Sequence, residues 1–230
     1  MKKLFILLFF VLYGQLVCSQ DYTEKVVDSL YREDQFYIGV SYILIGNKPE
    51  NLSQTGFSSS FLLGFIRDMP INKNRNVALG LGLGVSSNSI NPNLFINKDD
   101  LGNTSFQILN DNSTFSKNKF STFLIELPFE FRWRTSAPEE YKFWRIYTGF
   151  KIGYLFAHRS KYKGELGNIR HDSISSFNDF QYGLTLSVGY NTWNINFYYG
   201  LNPIFSDGSL LNGKQLDMNV IKFGLMFYIL

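Results

Sequence analysis

The sequence predicts an all-β fold: an eight-stranded antiparallel up-and-down transmembrane β-barrel with an N-terminal signal peptide. Three observations lead to this prediction. An apolar leader opens the chain, eight later segments alternate apolar and polar residues with a period of two, and the links between those segments are alternately short and long. Aromatic residues make up 17% of the chain. A barrel can expose such rings to lipid, whereas a soluble domain must bury them.

Residues 1–19 predict a secretory signal peptide. Two lysines precede an apolar run from Leu4 to Tyr13, which is too short to cross a membrane as a helix. Cleavage is expected before Gln20. Cys18 leaves a lipoprotein open as an alternative, although the bulky Val17 before it fits that signal poorly. If Cys18 leaves with the leader, the mature chain has no cysteine and therefore no disulfide or thiolate chemistry.

Residues 20–35 are polar and charged, and they predict a short periplasmic segment; the barrel is expected over residues 36–230. The third barrel segment shows the period most clearly, because Leu79, Leu81 and Leu83 alternate with glycines that a helix would scatter around its surface. The predicted strands are 36–44, 57–65, 77–86, 123–134, 144–156, 180–190, 193–202 and 221–229.

The links between these segments are expected to mark the two sides of the membrane, since outer-membrane barrels have short periplasmic turns and long outer loops. The predicted short links are 68–76, 135–142 and 191–192, and the predicted long ones are 46–55, 87–119, 159–176 and 206–217. All three tryptophans, Trp133, Trp144 and Trp193, flank the short links, which predicts an aromatic girdle at the periplasmic interface.

The charged face of the strands is the minority face and is rich in Gly and Ser, as expected for a narrow lumen. A soluble β-sandwich would instead expose its charged face. Side chains fill an eight-stranded barrel, and buried charges must pair. We therefore predict lumen salt bridges, with Glu126 bonded to Lys151 if the fourth and fifth strands pair symmetrically. The charged residues predicted to form salt bridges in the lumen are Glu126, Glu130, Arg132, Arg145, Lys151 and Lys222, with Arg134 on the same face.

Catalysis is the alternative interpretation of the polar residues. The lumen carboxylates would need a cleft that substrate can reach. His158 and Ser160 resemble the rim residues of lipid-modifying barrel enzymes, with Asp172 and Glu165 nearby. A hydrolase also needs an orienting acid and an oxyanion site, and loops are ordinarily rich in such side chains. We therefore expect no enzyme and no catalytic residues.

Other classes of ligand find no support in the sequence. No spacing of His, Cys and carboxylates indicates a metal site, and no nucleotide-binding loop is present, so no cofactor is expected. The net charge is only +3 without a basic run, so nucleic acid is not an expected partner. The pattern Lys222, Gly224, Phe227 and Ile229 in the last strand is typical of the signal that the barrel-assembly machinery reads.

Three segments, 123–134, 198–205 and 223–230, resemble the PorT family, the PorT/SprT-like outer-membrane β-barrels of Bacteroidetes. The resemblance implies a component of the type IX protein secretion system in the cell outer membrane, required for protein export and for gliding motility where present. Its implied partners are outer-membrane lipid, the barrel-assembly machinery and other secretion components. The family supplies no catalytic residues, and the segment 87–119 matches no known pattern. A structural or adhesive barrel, or a lipid-modifying enzyme, remains an alternative function.

Overall fold

The computed structural model describes residues 34–99, 101–110, 113–135 and 143–229. The predicted signal peptide and most of the predicted periplasmic segment lie outside these residues, and Gln35 already belongs to the first strand. Within the described ranges, no helix has the length and apolar character needed to cross a membrane.

All strand pairings among the described residues are antiparallel. Nine strands form one sheet, and the pairing of β6 with β7 closes it. β8 pairs only with β7, so the other eight strands make the wall of the barrel and follow one another in chain order. This confirms the predicted eight-stranded antiparallel barrel. The strands are β1 (Gln35–Gly46), β2 (Ser59–Pro70), β3 (Val77–Ile90), β4 (Leu94–Lys98), β5 (Thr104–Ile108), β6 (Phe115–Arg134), β7 (Trp144–Gly164), β8 (Gly167–Asp172), β9 (Phe180–Tyr190), β10 (Trp193–Gly200), β11 (Leu210–Leu211), β12 (Lys214–Gln215) and β13 (Asn219–Ile229).

The two faces of each wall strand agree with the alternation in the sequence. On β3, Leu81 and Leu83 are 53% and 58% exposed, whereas Gly82 and Gly84 face the interior. Large apolar side chains are exposed in the same way on all eight wall strands. In a bilayer this outer surface is the lipid-facing band, because lipid favours an apolar residue at every second position of a membrane strand.

Several strands extend further than the sequence pattern predicted. β2 continues to Pro70, β6 begins at Phe115, and β7 continues to Gly164. The predicted 87–119 loop is therefore largely strand and contains the β4–β5 hairpin. These extensions remain hydrogen-bonded to neighbouring strands beyond the lipid-facing band. Their outward side chains no longer contact lipid, so they need not be apolar.

A β-bulge interrupts the β6–β7 pairing. Phe123 pairs with Ala157, but Leu124 pairs with Leu155, so Phe156 is the extra residue on β7. A bulge of one residue exchanges the two faces of the strand beyond it. As a result Ser160 is buried, whereas Lys161 on the same outer part of β7 is exposed.

Candidate functional site: the filled lumen and the outer rim

The half of the lumen next to the short links, which is predicted to face the periplasm, contains a cluster of buried charges around Asp68. Arg134 binds the carboxylate of Asp68 with both terminal nitrogens, each at 2.8 Å. Arg132 places Nη1 3.1 Å from Asp68 Oδ1 and Nε 3.1 Å from Glu130 Oε2. A bidentate guanidinium–carboxylate contact is among the stronger hydrogen-bonded pairs in proteins, so this cluster ties β2 firmly to β6.

Small residues on β3 let this cluster form. Asp68 lies opposite Gly80, and Gly80 lies opposite Glu130. A Cβ atom on Gly80 would lie 2.8 Å from Arg132 Nε, which is too close for a side chain there. The guanidinium of Arg132 therefore passes over the backbone of β3 to reach a carboxylate two strands away.

Asp68 is not among the residues predicted for the lumen, because the sequence pattern places it at the start of the short link 68–76. The structure corrects this assignment: Asp68 is an inward residue of β2 with no exposed surface. Ile66 faces inward and Arg67 faces outward, so continuing this alternation by one residue places Asp68 inside the barrel. Arg145, which is also predicted to form a lumen salt bridge, has none of the ion pairs seen among the described residues. Its guanidinium lies instead 4.4 Å from the ring centre of Phe143.

The middle of the lumen is organised around Glu126. Lys151 Nζ lies 2.9 Å from Glu126 Oε2, which is the contact predicted from the sequence. The register differs from the expected one, because Lys151 lies opposite Pro128, so the pair is diagonal. Lys222 Nζ lies 4.0 Å from the other carboxylate oxygen, and the Ser86 hydroxyl donates a hydrogen bond to that oxygen at 2.8 Å.

The outer half of the lumen is apolar. Three rings form its centre: Phe177 lies 4.9 Å from Phe205, and Phe120 lies 5.6 Å and 5.7 Å from these two, measured between ring centres. Phe120 belongs to β6, whereas Phe177 and Phe205 come from the outer loops. We call this ring cluster and the aliphatic residues around it the apolar cap. The aliphatic residues of the apolar cap include Ile43, Leu124, Leu155, Ile174, Ile204, Leu216 and Met218.

The interior is therefore filled from end to end in the described part of the chain. A cavity between Tyr37, Pro128 and Glu130 has a volume of about 10 Å³, which is room for about one water molecule. A hollow of about 740 Å³ lies among the outer loops and is lined by polar residues such as Asn47, Gln107 and Lys214. The interior of an eight-stranded barrel has room for little beyond side chains, and among the described residues the apolar cap and the buried charges occupy it.

The candidate catalytic residues lie in different surroundings, with Ser160 opposite His171 and the two nearby acids exposed. His158 Nε2 accepts a hydrogen bond from the backbone N–H of Ile174 at 2.6 Å. Ser160 is buried, whereas Asp172 is exposed on the outward face and bonded to Arg159, which holds the pKa of that carboxyl below its usual range. Glu165 is also exposed. Within the described residues, no group of three or more His, Cys, Asp or Glu could hold a metal ion.

Comparisons with known proteins agree with this architecture. Residues 18–206 match the family described as outer membrane protein beta-barrel domain. The chain belongs to this family. It is therefore a β-barrel protein of the outer membrane.

Two solved structures of Ail, the attachment invasion locus protein of Yersinia pestis, resemble this outer-membrane barrel. The first has a TM-score of 0.39 and 13% sequence identity, with 86% of this chain and 99% of that chain covered. The second, in complex with the heparin analogue sucrose octasulfate, has a TM-score of 0.40 and 11% identity with the same coverage. No curated protein matches the sequence.

The predicted girdle and assembly residues take defined places in this outer-membrane barrel. Trp133, Trp144 and Trp193 are exposed at the strand ends beside the short links. On β13, which pairs with β1 on one side and β10 on the other, Lys222 Nζ lies 4.0 Å from Glu126 Oε1 in the lumen. The remaining residues of the predicted assembly signal on β13 are Gly224, Phe227 and Ile229. Recognition of these residues by the barrel-assembly machinery remains a prediction.

Proposed function

We propose that this barrel is a non-conducting component of the type IX protein secretion system, required for protein export and, where present, for gliding motility. The proposal rests on the three PorT-like segments and on one structural observation, which is that these segments supply many of the side chains that fill the lumen. The segment 123–134 contributes Glu126 and Arg132, and Tyr198 lies over Lys222, 5.1 Å from its ring centre to Nζ. Phe205 belongs to the apolar cap.

A filled lumen supports a role that is exerted through surfaces. Exported proteins do not pass through this barrel, so its contribution to export lies in contacts made by the outer loops or by residues 20–35. We propose that other secretion components make those contacts, and that the protein is not an enzyme. The separation of Ser160 and Asp172 onto opposite faces of the outer sheet supports the second statement.

The test is deletion of the gene, followed by analysis of the proteins released into the medium. We expect the secreted set to be lost from the medium and retained inside the cell, while the other outer-membrane barrels keep their normal abundance. A plasmid copy of the native gene should restore release. Normal release from the deletion strain would contradict the proposal and leave a structural or adhesive role.

Two complementing variants separate secretion from catalysis. His158→Ala and Ser160→Ala should each restore release as well as the native gene does, because neither residue belongs to a converging catalytic set. Membrane fractionation verifies that each variant is inserted at the native level. Failure of an inserted His158→Ala or Ser160→Ala variant would support the lipid-modifying enzyme instead.

A further inference from the structure

Six basic side chains crowd one face of the sheet that β6, β7 and β8 form beyond the membrane. Lys119 lies opposite Lys161, which in turn lies opposite Arg170, so one row across three strands holds three cations. The next row places Lys117 opposite Lys163. We call these five residues, together with Arg159 on the same face, the basic ladder.

The ladder is unfavourable for the fold by itself. Like charges directly opposite each other destabilise a strand pair. The row of Lys119, Lys161 and Arg170 contains no acid, and the ammonium of Lys119 lies 3.2 Å from the hydroxyl of Ser89. Among the described strand residues of this face, Asp172 is the one acid, and it bonds to Arg159 and Arg170. An anionic ligand with several charges would relieve this repulsion.

Because of the bulge at Phe156, the basic ladder lies on the outward face of the wall, which is the face that contacts lipid further along the same strands. Below it the outward rings of Phe123 and Phe156 lie 6.4 Å apart and end the apolar band on these strands. Above it Lys161 continues the same outward face. With a rise of about 3.3 Å per residue and a tilt of about 40°, Lys119 stands roughly 10 Å above Phe123. That height lies just beyond the outer edge of a headgroup layer roughly 5–8 Å thick, and the long lysine side chain can extend back toward the headgroups.

An apolar hollow lies on the wall next to the ladder. It has a volume of about 470 Å³ and is lined on the lipid-facing side by Leu63, Val85, Phe123 and Phe156, among others. Its lining is almost entirely apolar, so it suits an acyl chain. The ladder and the hollow therefore offer, at adjacent heights, a site for phosphate and a site for hydrocarbon.

We propose that the basic ladder and this hollow together bind a phosphorylated glycolipid of the outer leaflet. Lys119 and Lys161 pair with its phosphate groups, and one acyl chain lies against Phe123 and Phe156. Salt bridges from several lysines to phosphate are charge-assisted and strengthen where lipid excludes water. The site is separate from the lumen, because the ladder residues lie on the outward face of the sheet.

The experiment uses the purified full-length protein in detergent and bisphosphorylated lipid A as the probe, with bound lipid counted by native mass spectrometry. Lys119→Gln combined with Lys161→Gln should weaken binding about tenfold or more, because two charge-assisted contacts are lost. Lys48→Gln combined with Lys214→Gln is the matched control, since Lys48 lies between β1 and β2 and Lys214 lies in β12, outside the three strands of the ladder. The control should bind like the native protein.

Two further measurements make the outcome decisive. Asp172→Asn removes the one acid from this face and should strengthen binding. Lipid A stripped of its phosphates should bind the native protein as weakly as intact lipid A binds the double ladder variant. Equal binding of the stripped lipid, displacement of lipid A by an equal concentration of inorganic phosphate, or unchanged binding by a ladder variant with native strand content would each overturn the proposal.

Discussion

Arg132 on β6 forms an ion pair with Asp68 on β2 across the intervening strand β3, with 3.1 Å between Arg132 Nη1 and Asp68 Oδ1. Neither side chain has exposed surface. The contact therefore couples two strands that are not hydrogen-bonded to each other. A pair of this kind stabilises one arrangement of the strands, because removing either partner leaves a buried charge poorly compensated.

Asp68→Asn should destabilise the barrel strongly. The substitution keeps the volume but removes the charge that Arg132 and Arg134 share, so we expect a loss of about 3–5 kcal/mol in the free energy of unfolding. The measurement is denaturant unfolding of the protein in lipid vesicles. Asp207→Asn, at an exposed outer-loop position, is the control and should change stability little. Equal stability of the two variants would contradict a central role for the Asp68 cluster.

Gly80→Val should weaken the same cluster from the other side. A side chain at this position would occupy the path of Arg132 across β3. Because the two substitutions act on one contact, the loss of stability in the double variant with Asp68→Asn should be smaller than the sum of the single losses. Additive losses in the same unfolding assay would mean that Gly80 is required for another reason.

A double-mutant cycle tests the coupling of Glu126 to Lys151. Glu126→Gln should lower the unfolding temperature, since it leaves both Lys151 and Lys222 without their carboxylate. Adding Lys151→Met should recover part of that loss, because one uncompensated cation is removed. The coupling is read from the four unfolding temperatures. Simple addition of the two effects would show that the pair is not coupled.

Cysteine labelling tests the orientation of the barrel in the membrane. The native sequence has one cysteine, Cys18, in the predicted signal peptide. A cysteine at Asn103, in the turn of the β4–β5 hairpin, should react with an impermeant maleimide on intact cells. A cysteine at Asn74, in the short β2–β3 link, should react only after the outer membrane is permeabilised. The reverse pattern would invert the orientation assigned to every loop.

The strand faces were predictable from the sequence because a membrane strand exposes an apolar side chain to lipid at every second position. Residues such as Leu81 and Leu83 follow this pattern. Beyond the membrane the pattern ends. The polar ends of β6 and β7 were therefore interpreted as loops, although the strands continue to Phe115 and Gly164. The bulge at Phe156 depends on how two strands pair, which a single sequence does not specify.

The lumen was predictable in composition and only partly in its contacts. Alternation placed Glu126 and Lys151 on one face, and the structure brings them together. The partners of Arg132 could not be assigned in this way, since the Asp68 contact spans an intervening strand and requires a glycine there. The apolar cap was not predicted, because Phe177 and Phe205 lie in links where the sequence shows no periodicity.

Conductance across a planar lipid bilayer is the most direct test of a filled barrel that acts through its surfaces. The purified protein is inserted at a known density, and a porin with an open aqueous channel serves as the positive control. We expect no stable current steps from the native protein, because the apolar cap and the buried charges occupy the lumen. Reproducible steps of uniform size from the native protein would contradict this expectation.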